Sequence, residues 1–243
     1  MARLQTSWDA RAAANFMLGG AGAGLIVFSS FVRNPYSLAL GLVLVAAGLG
    51  AVWLEIGRKL RAVHVFFNPF TSWMTREAFA ALMVFAGGVS FLASRQEVLL
   101  HATAIAALAF LYCQARILRA AKGIPAWRAP EVVPLIIFSG LAEGAGVALF
   151  FGLDPMFFVA ALLPRAYSWH RYRAAVKSRA LERPGKALVW AGTVLPLALL
   201  PLAGPVAGLL AVATGAWLKL ALVTRASFNQ GFALPHLPVR GAP

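Results

Sequence analysis

Long apolar runs broken by short basic turns make up most of this chain. The runs approach the ~20 residues that carry an α-helix across a bilayer core. Their apolar positions are continuous and do not alternate, which excludes barrel strands. The pattern predicts eight helices, at about residues 14–32, 36–56, 77–94, 98–118, 132–152, 155–169, 187–202 and 205–224, with a tail over 225–243. They form one transmembrane domain spanning residues 1–243. Arg33-Asn34-Pro35 ends the first helix, and Ala203-Gly204-Pro205 turns the last two into a hairpin. The expected fold is therefore an all-α integral membrane bundle of eight helices. Arg3 and Arg11 precede the first run, which reaches Val32 with no small-residue cleavage site after it, so it reads as a retained helix and not a signal peptide.

Charge orients this zigzag. Eighteen of the 22 lysines and arginines fall on one side of it, in the N-terminus, the even-numbered loops and the tail. Only Arg33 and Arg95 fall on the other, while Arg165 and Lys219 lie inside predicted helices. The positive-inside rule then places both termini in the cytoplasm. The composition agrees: 60% of residues are hydrophobic and 12% charged, about half the charged share of a soluble domain. A formal net charge of +14 would suit nucleic acid if it formed a basic face. Here the cations flank helices, so the partner they imply is the lipid bilayer and no nucleic acid is expected.

Gly20-x-x-x-Gly24 in the first helix, and Gly140, Gly144 and Gly146 in the fifth, read as small-residue surfaces for close helix packing. No internal repeat supports a transporter. Cys113 is the single cysteine, which excludes an intrachain disulfide, a thiolate-bound iron–sulfur cluster and a cysteine zinc site in this chain. No metal site is expected. His64, His101, His170 and His236 sit at unlike depths, which argues against a bis-histidine haem.

Chemistry concentrates between the second and third helices. Glu55 and Glu77 sit at helix ends near interface depth, and between them lie Arg58, Lys59, Arg61, His64, Ser72, Trp73 and Arg76. A helix beginning near Ser72 would carry its capping hydroxyl there. Arg61 and His64 share a face if residues 58–66 are helical. Taken singly, the cations read as topology signals and Trp73 as an interfacial belt residue. Together they make an amphipathic niche suited to a quinone, whose head needs hydrogen-bond donors and a proton acceptor and whose tail needs lipid. Separately, Glu143 lies midway along the fifth helix, where an ionisable group is costly. It reads as a proton relay or as a protonated acid bonded to a neighbouring helix or to Ser139. Lys219 and Arg165 are expected to snorkel toward the cytoplasmic ends.

Leu54-x-x-Gly57-x-x-x-Arg61-Ala62 followed by Asn68-x-x-Thr71-Ser72-Trp73-x-x-Arg76-Glu77 resembles the membrane anchors of molybdopterin oxidoreductases, namely the dimethyl sulfoxide, polysulfide and nitrite reductase anchors. Arg116-Ile117 with Gly123-Ile124-Pro125-Ala126-Trp127, and the tail Phe228-Asn229-Gln230-Gly231-Phe232-Ala233-Leu234-Pro235, also resemble these anchors. The resemblance implies membership of a complex in the bacterial cytoplasmic (inner) membrane. The chain would exchange electrons between the quinone pool, ubiquinone or menaquinone, and an iron–sulfur subunit docked beside a molybdopterin catalytic subunit on the cytoplasmic side. The resemblance makes Arg61 and Glu77 quinone-site residues. Asn15 matches a polar position lining such a site, and Tyr112 is a looser match. Ser72, Trp73 and Arg76 join them as binding candidates. Glu55 stands where the dimethyl sulfoxide reductase anchor has a histidine, so the proton acceptor is Glu55, Glu77 or His64. Arg58, Lys59, Arg119, Lys122, Trp127 and Arg128 would meet the docked partner. In length and pattern the chain is most similar to the membrane subunit of phenylacetyl-CoA:acceptor oxidoreductase. The competing readings are a transporter or channel, and an anchor without a quinone site.

Overall fold

A computed structural model describes residues 3–55 and 59–230, with residues 59–61 given by backbone alone. Among the described residues, seven long helical segments carry the fold: α1 Ala10–Val32, α2 Pro35–Glu55, α3 Trp73–Ser94, α4 Glu97–Ala120, α5 Val132–Phe151, α6 Pro155–Ala175 and α7 Arg179–Thr224. Six of them are long and apolar enough to cross a membrane; α6 has a span's length but carries Arg165 and a charged final turn. The chain is thus an all-α membrane protein. At 46 residues α7 exceeds a single span. It breaks at Ala203, whose backbone (φ −150°, ψ 63°) leaves the helical region between Pro201 and Pro205. The expected hairpin turn falls at this break.

Several helix ends differ from the sequence expectation. α3 begins four residues early, at Trp73, because the Ser72 hydroxyl accepts the Thr75 N–H at 3.3 Å and caps it. α6 runs on to Ala175 through its basic residues, since Trp169 and Tyr172 turn one face of that stretch inward. Helical structure in α7 begins at Arg179, before the apolar run, on the turn that buries Leu181. Arg33 and Arg95, the two cations of the sparse side, both occupy left-handed C-caps (φ 54° and 59°), where a cation complements the helix dipole.

The expected glycine packing is present. A Cβ on Gly24 would collide with the Gly140 carbonyl and lie 3.2 Å from Gly144 Cα, so α1 and α5 cross backbone to backbone. Gly146 and Gly208 bring α5 against the second arm of α7 in the same way.

The chain ends meet. Arg3–Leu4 pairs antiparallel with Phe228–Asn229, and the Gln5 N–H donates to the Ser227 carbonyl at 2.9 Å. The tail then reaches the loop after α4: the Gln230 N–H donates to the Gly123 carbonyl, and Arg128 donates to Gln230 Oε1 at 2.8 Å. Two segments far apart in sequence that carry the family resemblance therefore touch. Tail residues 231–243 lie outside the described residues.

Candidate functional site

At the end of the bundle where the termini pair, the first turns of α1 and α3 and the last turns of α2 and α4 surround a cavity of about 230 Å³. Asn15, Glu55 and Glu77 line it beside Trp8, Phe16 and Met74. Three residues expected at one site, from three helices, are thus brought together. Asn15 and Glu77 are 5% and 6% exposed, and Asn15 Nδ2 donates to Glu77 Oε1 at 3.0 Å. Gln114 of α4 steadies the pair by donating its side-chain N–H to the Asn15 carbonyl at 2.9 Å. Asn15 opens a π-helical turn, Asn15–Gly19, an irregularity that recurs at functional sites. Asn15 Oδ1 and Gln114 Oε1 have no partner among the described residues. Asp9 caps α1 just above, and hydrogen bonds from the Arg11 guanidinium and backbone N–H hold its carboxyl below the usual carboxylate range.

Ser72, Trp73, Arg76 and Tyr112, also expected to bind, stand beside this cavity and do not line it. Trp73, Arg76, Arg116 and Tyr112 form one cluster: both guanidinium groups lie over the Trp73 ring, at 4.2 and 4.3 Å, and Arg116 donates to the Tyr112 hydroxyl at 2.7 Å. Tyr112 meets Trp73 edge-on at 5.6 Å, so its hydroxyl is engaged away from the cavity. Arg76 also donates to the Pro69 and Phe70 carbonyls, at 2.8 and 2.5 Å, and ties down the loop. Ser72 serves as the cap of α3. His64 is exposed and meets Phe67 edge-on. It sits on a 3₁₀ helix, Lys59–Phe67, in which positions three apart eclipse, so Arg61 and His64 share a register as expected. Arg58 lies outside the described residues, as do the side chains of Lys59 and Arg61.

A second polar cluster lies deeper. Lys219 Nζ donates to Glu143 Oε2 at 2.7 Å, and both side chains are 1% exposed. Glu143 is about 16 Å along α5 from its start, close to the middle of a ~30 Å core. Side chains lean toward their own helix N-terminus, so Lys219 on the returning arm of α7 and Glu143 on α5 lean toward each other. Arg165 is fully buried and donates to the carbonyls of Ala211 (2.8 Å) and Gly192, which lies in a second π-helical turn, Trp190–Val194, and whose α-helical donor position four residues on is Pro196, without an N–H. The expected snorkelling is corrected: both cations point inward, because a carboxylate and two backbone carbonyls satisfy them there. Ser139 makes no hydrogen bond to Glu143; its hydroxyl and Glu143 Oε1 have no partner among the described residues.

Of the expected docking residues, Arg119, Lys122 and Arg128 line one open cleft with Glu131. Trp127 is corrected. It is 2% exposed, stacks on Trp8 at 4.9 Å and donates its indole N–H to the Leu222 carbonyl at 2.9 Å, so it builds the wall behind the cavity and faces no partner. Sequence reasoning missed Trp8, Phe16 and Gln114. A lone amide in an apolar helix was the available signal for Gln114.

No model of a known protein family matches the chain. It is similar to one of the subunits of a sulfite dehydrogenase from Allochromatium vinosum, with 31% identity over 124 residues. That likeness covers 43% of this chain and 38% of the relative's length.

Proposed function

We propose that this chain is the quinone-reactive membrane anchor of a molybdenum/iron–sulfur oxidoreductase, passing electrons between the quinone pool and a docked iron–sulfur subunit. The observation carrying this is the cavity that gathers Asn15, Glu55 and Glu77 at the bundle end. At about 230 Å³ it is smaller than a typical pocket for a whole drug-sized ligand and suits a single ring with its tail left in lipid. The donor set fits too: a buried amide with an unpartnered oxygen, a carboxyl group bonded to it, and a flanking aromatic wall. The relative's name, that of a dehydrogenase, supports a redox complex.

A quinone supplies two-electron chemistry coupled to proton transfer. The residues of this chain divide the remaining work. Asn15 orients the head and holds Glu77 in place. Glu77 gives or takes a proton at its carboxyl oxygen, and Glu55, at the cavity mouth, exchanges protons with water. Gly20 lies between Gln114 and Lys219: a Cβ there would sit 3.5 Å from Gln114 Oε1 and 2.8 Å from Lys219 Nζ. Both polar ends thus border the space left open at Gly20. This extends a polar line from Glu77 through Asn15 and Gln114 to the Lys219–Glu143 pair, the relay anticipated for Glu143.

Eight crossings with both termini cytoplasmic complete the reading. The paired termini support an even number of crossings, and the break at Ala203 supports two in α7. The partners then dock on the cytoplasmic face at Arg119, Lys122 and Arg128. For the partner's substrate, length and pattern favour a coenzyme A thioester and the relative's name speaks for sulfite; assays of the assembled complex with each decide. In that complex, Glu77→Gln lowers quinone-dependent turnover at least ~100-fold, the lower end of the usual scale for a positioned proton-transfer group, while dye-linked activity of the soluble subunits is unchanged. Normal quinone kinetics in this variant would refute the site. A purely structural anchor predicts no quinone-dependent activity in wild type.

A further inference from the structure

The link between α6 and α7 encloses a second cleft, of about 620 Å³, which the electron-transfer reading does not use. Arg173, Lys177, Arg179 and Lys186 line it, against a single carboxylate, Glu182. All four cations are exposed, and among the described residues none forms an ion pair. The floor is apolar: Trp169 is 4% exposed, and Gly185 packs directly on its indole, where a Cβ would collide with the ring. This is a built concavity with four uncommitted positive charges over an aromatic base.

Its depth narrows the ligand. α6 has 21 residues, about 31 Å of helix, which matches a bilayer core. The cleft begins where α6 ends, at the level of lipid phosphates. Trp190, 67% exposed, lies one turn below Lys186, as an interfacial aromatic facing lipid does. Basic pockets between membrane helices hold anionic headgroups of this kind.

We propose that this cleft binds the phosphate-bearing headgroup of an anionic phospholipid, with Lys177 and Lys186 on the phosphate and Trp169 beneath the glycerol. The ligand chemistry is a phosphodiester; the source is the surrounding leaflet and not a soluble phosphate. The proposal stands apart from the quinone reading.

Native mass spectrometry of the full chain, released from micelles carrying equal dioleoyl phosphatidylglycerol and dioleoyl phosphatidylcholine, tests it. Wild type retains phosphatidylglycerol preferentially. Lys177→Gln/Lys186→Gln lowers that occupancy about tenfold or more, on the usual strength of two basic groups near a membrane surface, and leaves phosphatidylcholine unchanged. Lys177→Arg/Lys186→Arg retains binding. Equal retention of both lipids by wild type would overturn the proposal without any variant. So would unchanged occupancy in the glutamine variant, or displacement of the lipid by millimolar glycerol 3-phosphate or inorganic phosphate, which would mark a soluble-anion site.

Discussion

Lys219→Met probes the deep ion pair most directly. The substitution keeps the length of the side chain and removes its charge, leaving Glu143 buried with no cation within bonding distance among the described residues. Both partners are 1% exposed and 2.7 Å apart, so water does not replace the lost contact. Removing one partner of a pair this deeply buried costs about 3–5 kcal/mol. In a chain of this length that lowers the midpoint of thermal unfolding by about 6–20 °C. Replacing both charges is different. Glu143→Leu/Lys219→Met puts apolar groups of similar volume against Gly215 and Gly20, and such replacements are often neutral or stabilising. The double variant should therefore regain most of what the single one loses, giving a coupling of at least ~2 kcal/mol. Equilibrium unfolding in mixed micelles, followed by tryptophan fluorescence for all four members of the cycle, measures it. A single variant within about 1 kcal/mol of wild type, or a double variant as unstable as the two singles added, would refute the pair. The same double variant isolates the relay: it should fold yet turn over quinone slowly in the assembled complex.

Other consequences follow from local geometry. Gly24→Ala forces a Cβ into the Gly140 carbonyl and should destabilise by about 1–3 kcal/mol, whereas Gly50→Ala, with nothing within 4 Å, should gain about 0.5–1 kcal/mol from helix propensity; thermal midpoints of the two variants should move in opposite directions. Ser72→Ala removes the cap of α3 and should cost about 1 kcal/mol, seen as a lower midpoint with quinone affinity little changed. Phe70, 88% exposed, and Arg95, in the turn between α3 and α4, should react from opposite sides when replaced singly by cysteine. Labelling intact and inverted vesicles with a membrane-impermeant maleimide reports this, and buried Cys113 stays silent. Labelling of both from one side would remove the eight-crossing reading.

Much of the bundle was legible in the sequence because lipid leaves a chain few choices. Every backbone group must bond within its own helix, so an apolar run near span length announces a helix with no further information. Ends were less legible. The start of α3 depends on a hydroxyl bonding one N–H, and the end of α6 depends on Trp169 and Tyr172 turning inward; a basic stretch such as Arg171–Arg173 reads as loop until that face is known. The cavity was legible in part. Asn15, Glu55 and Glu77 stand out as polar residues near helix ends, while the departure of Trp73 and Tyr112 into a stack with Arg76 and Arg116 rests on side-chain directions that spacing does not give. Gln114 enters the site through its bond to the Asn15 carbonyl and Trp8 through a packed terminus, and neither leaves a periodic mark.

The deep charges show most clearly what was misread and why. Lysine and arginine near a helix end have stems long enough to reach the interface, so snorkelling is the sensible expectation for Lys219 and Arg165 when each is considered alone. What reverses it is the space opposite. A Cβ on Gly20 would stand 2.8 Å from Lys219 Nζ, one on Gly215 would collide with Glu143, and one on Gly192 would collide with the Thr214 hydroxyl and stand 3.2 Å from Arg165 Nη2. Glycines in these helices therefore serve two purposes. Gly24, Gly144, Gly146 and Gly208 let backbones touch, whereas Gly20 and Gly215 make room for charged side chains and Gly192 for the Thr214 hydroxyl beside Arg165. An alanine at any of the second set would press on a charged or polar side chain and not on a neighbouring backbone. The sequence carries both sets as the same letter. A glycine in a membrane helix is accordingly a sign of close approach, and whether a backbone or a buried charge approaches is settled only by which helix stands opposite.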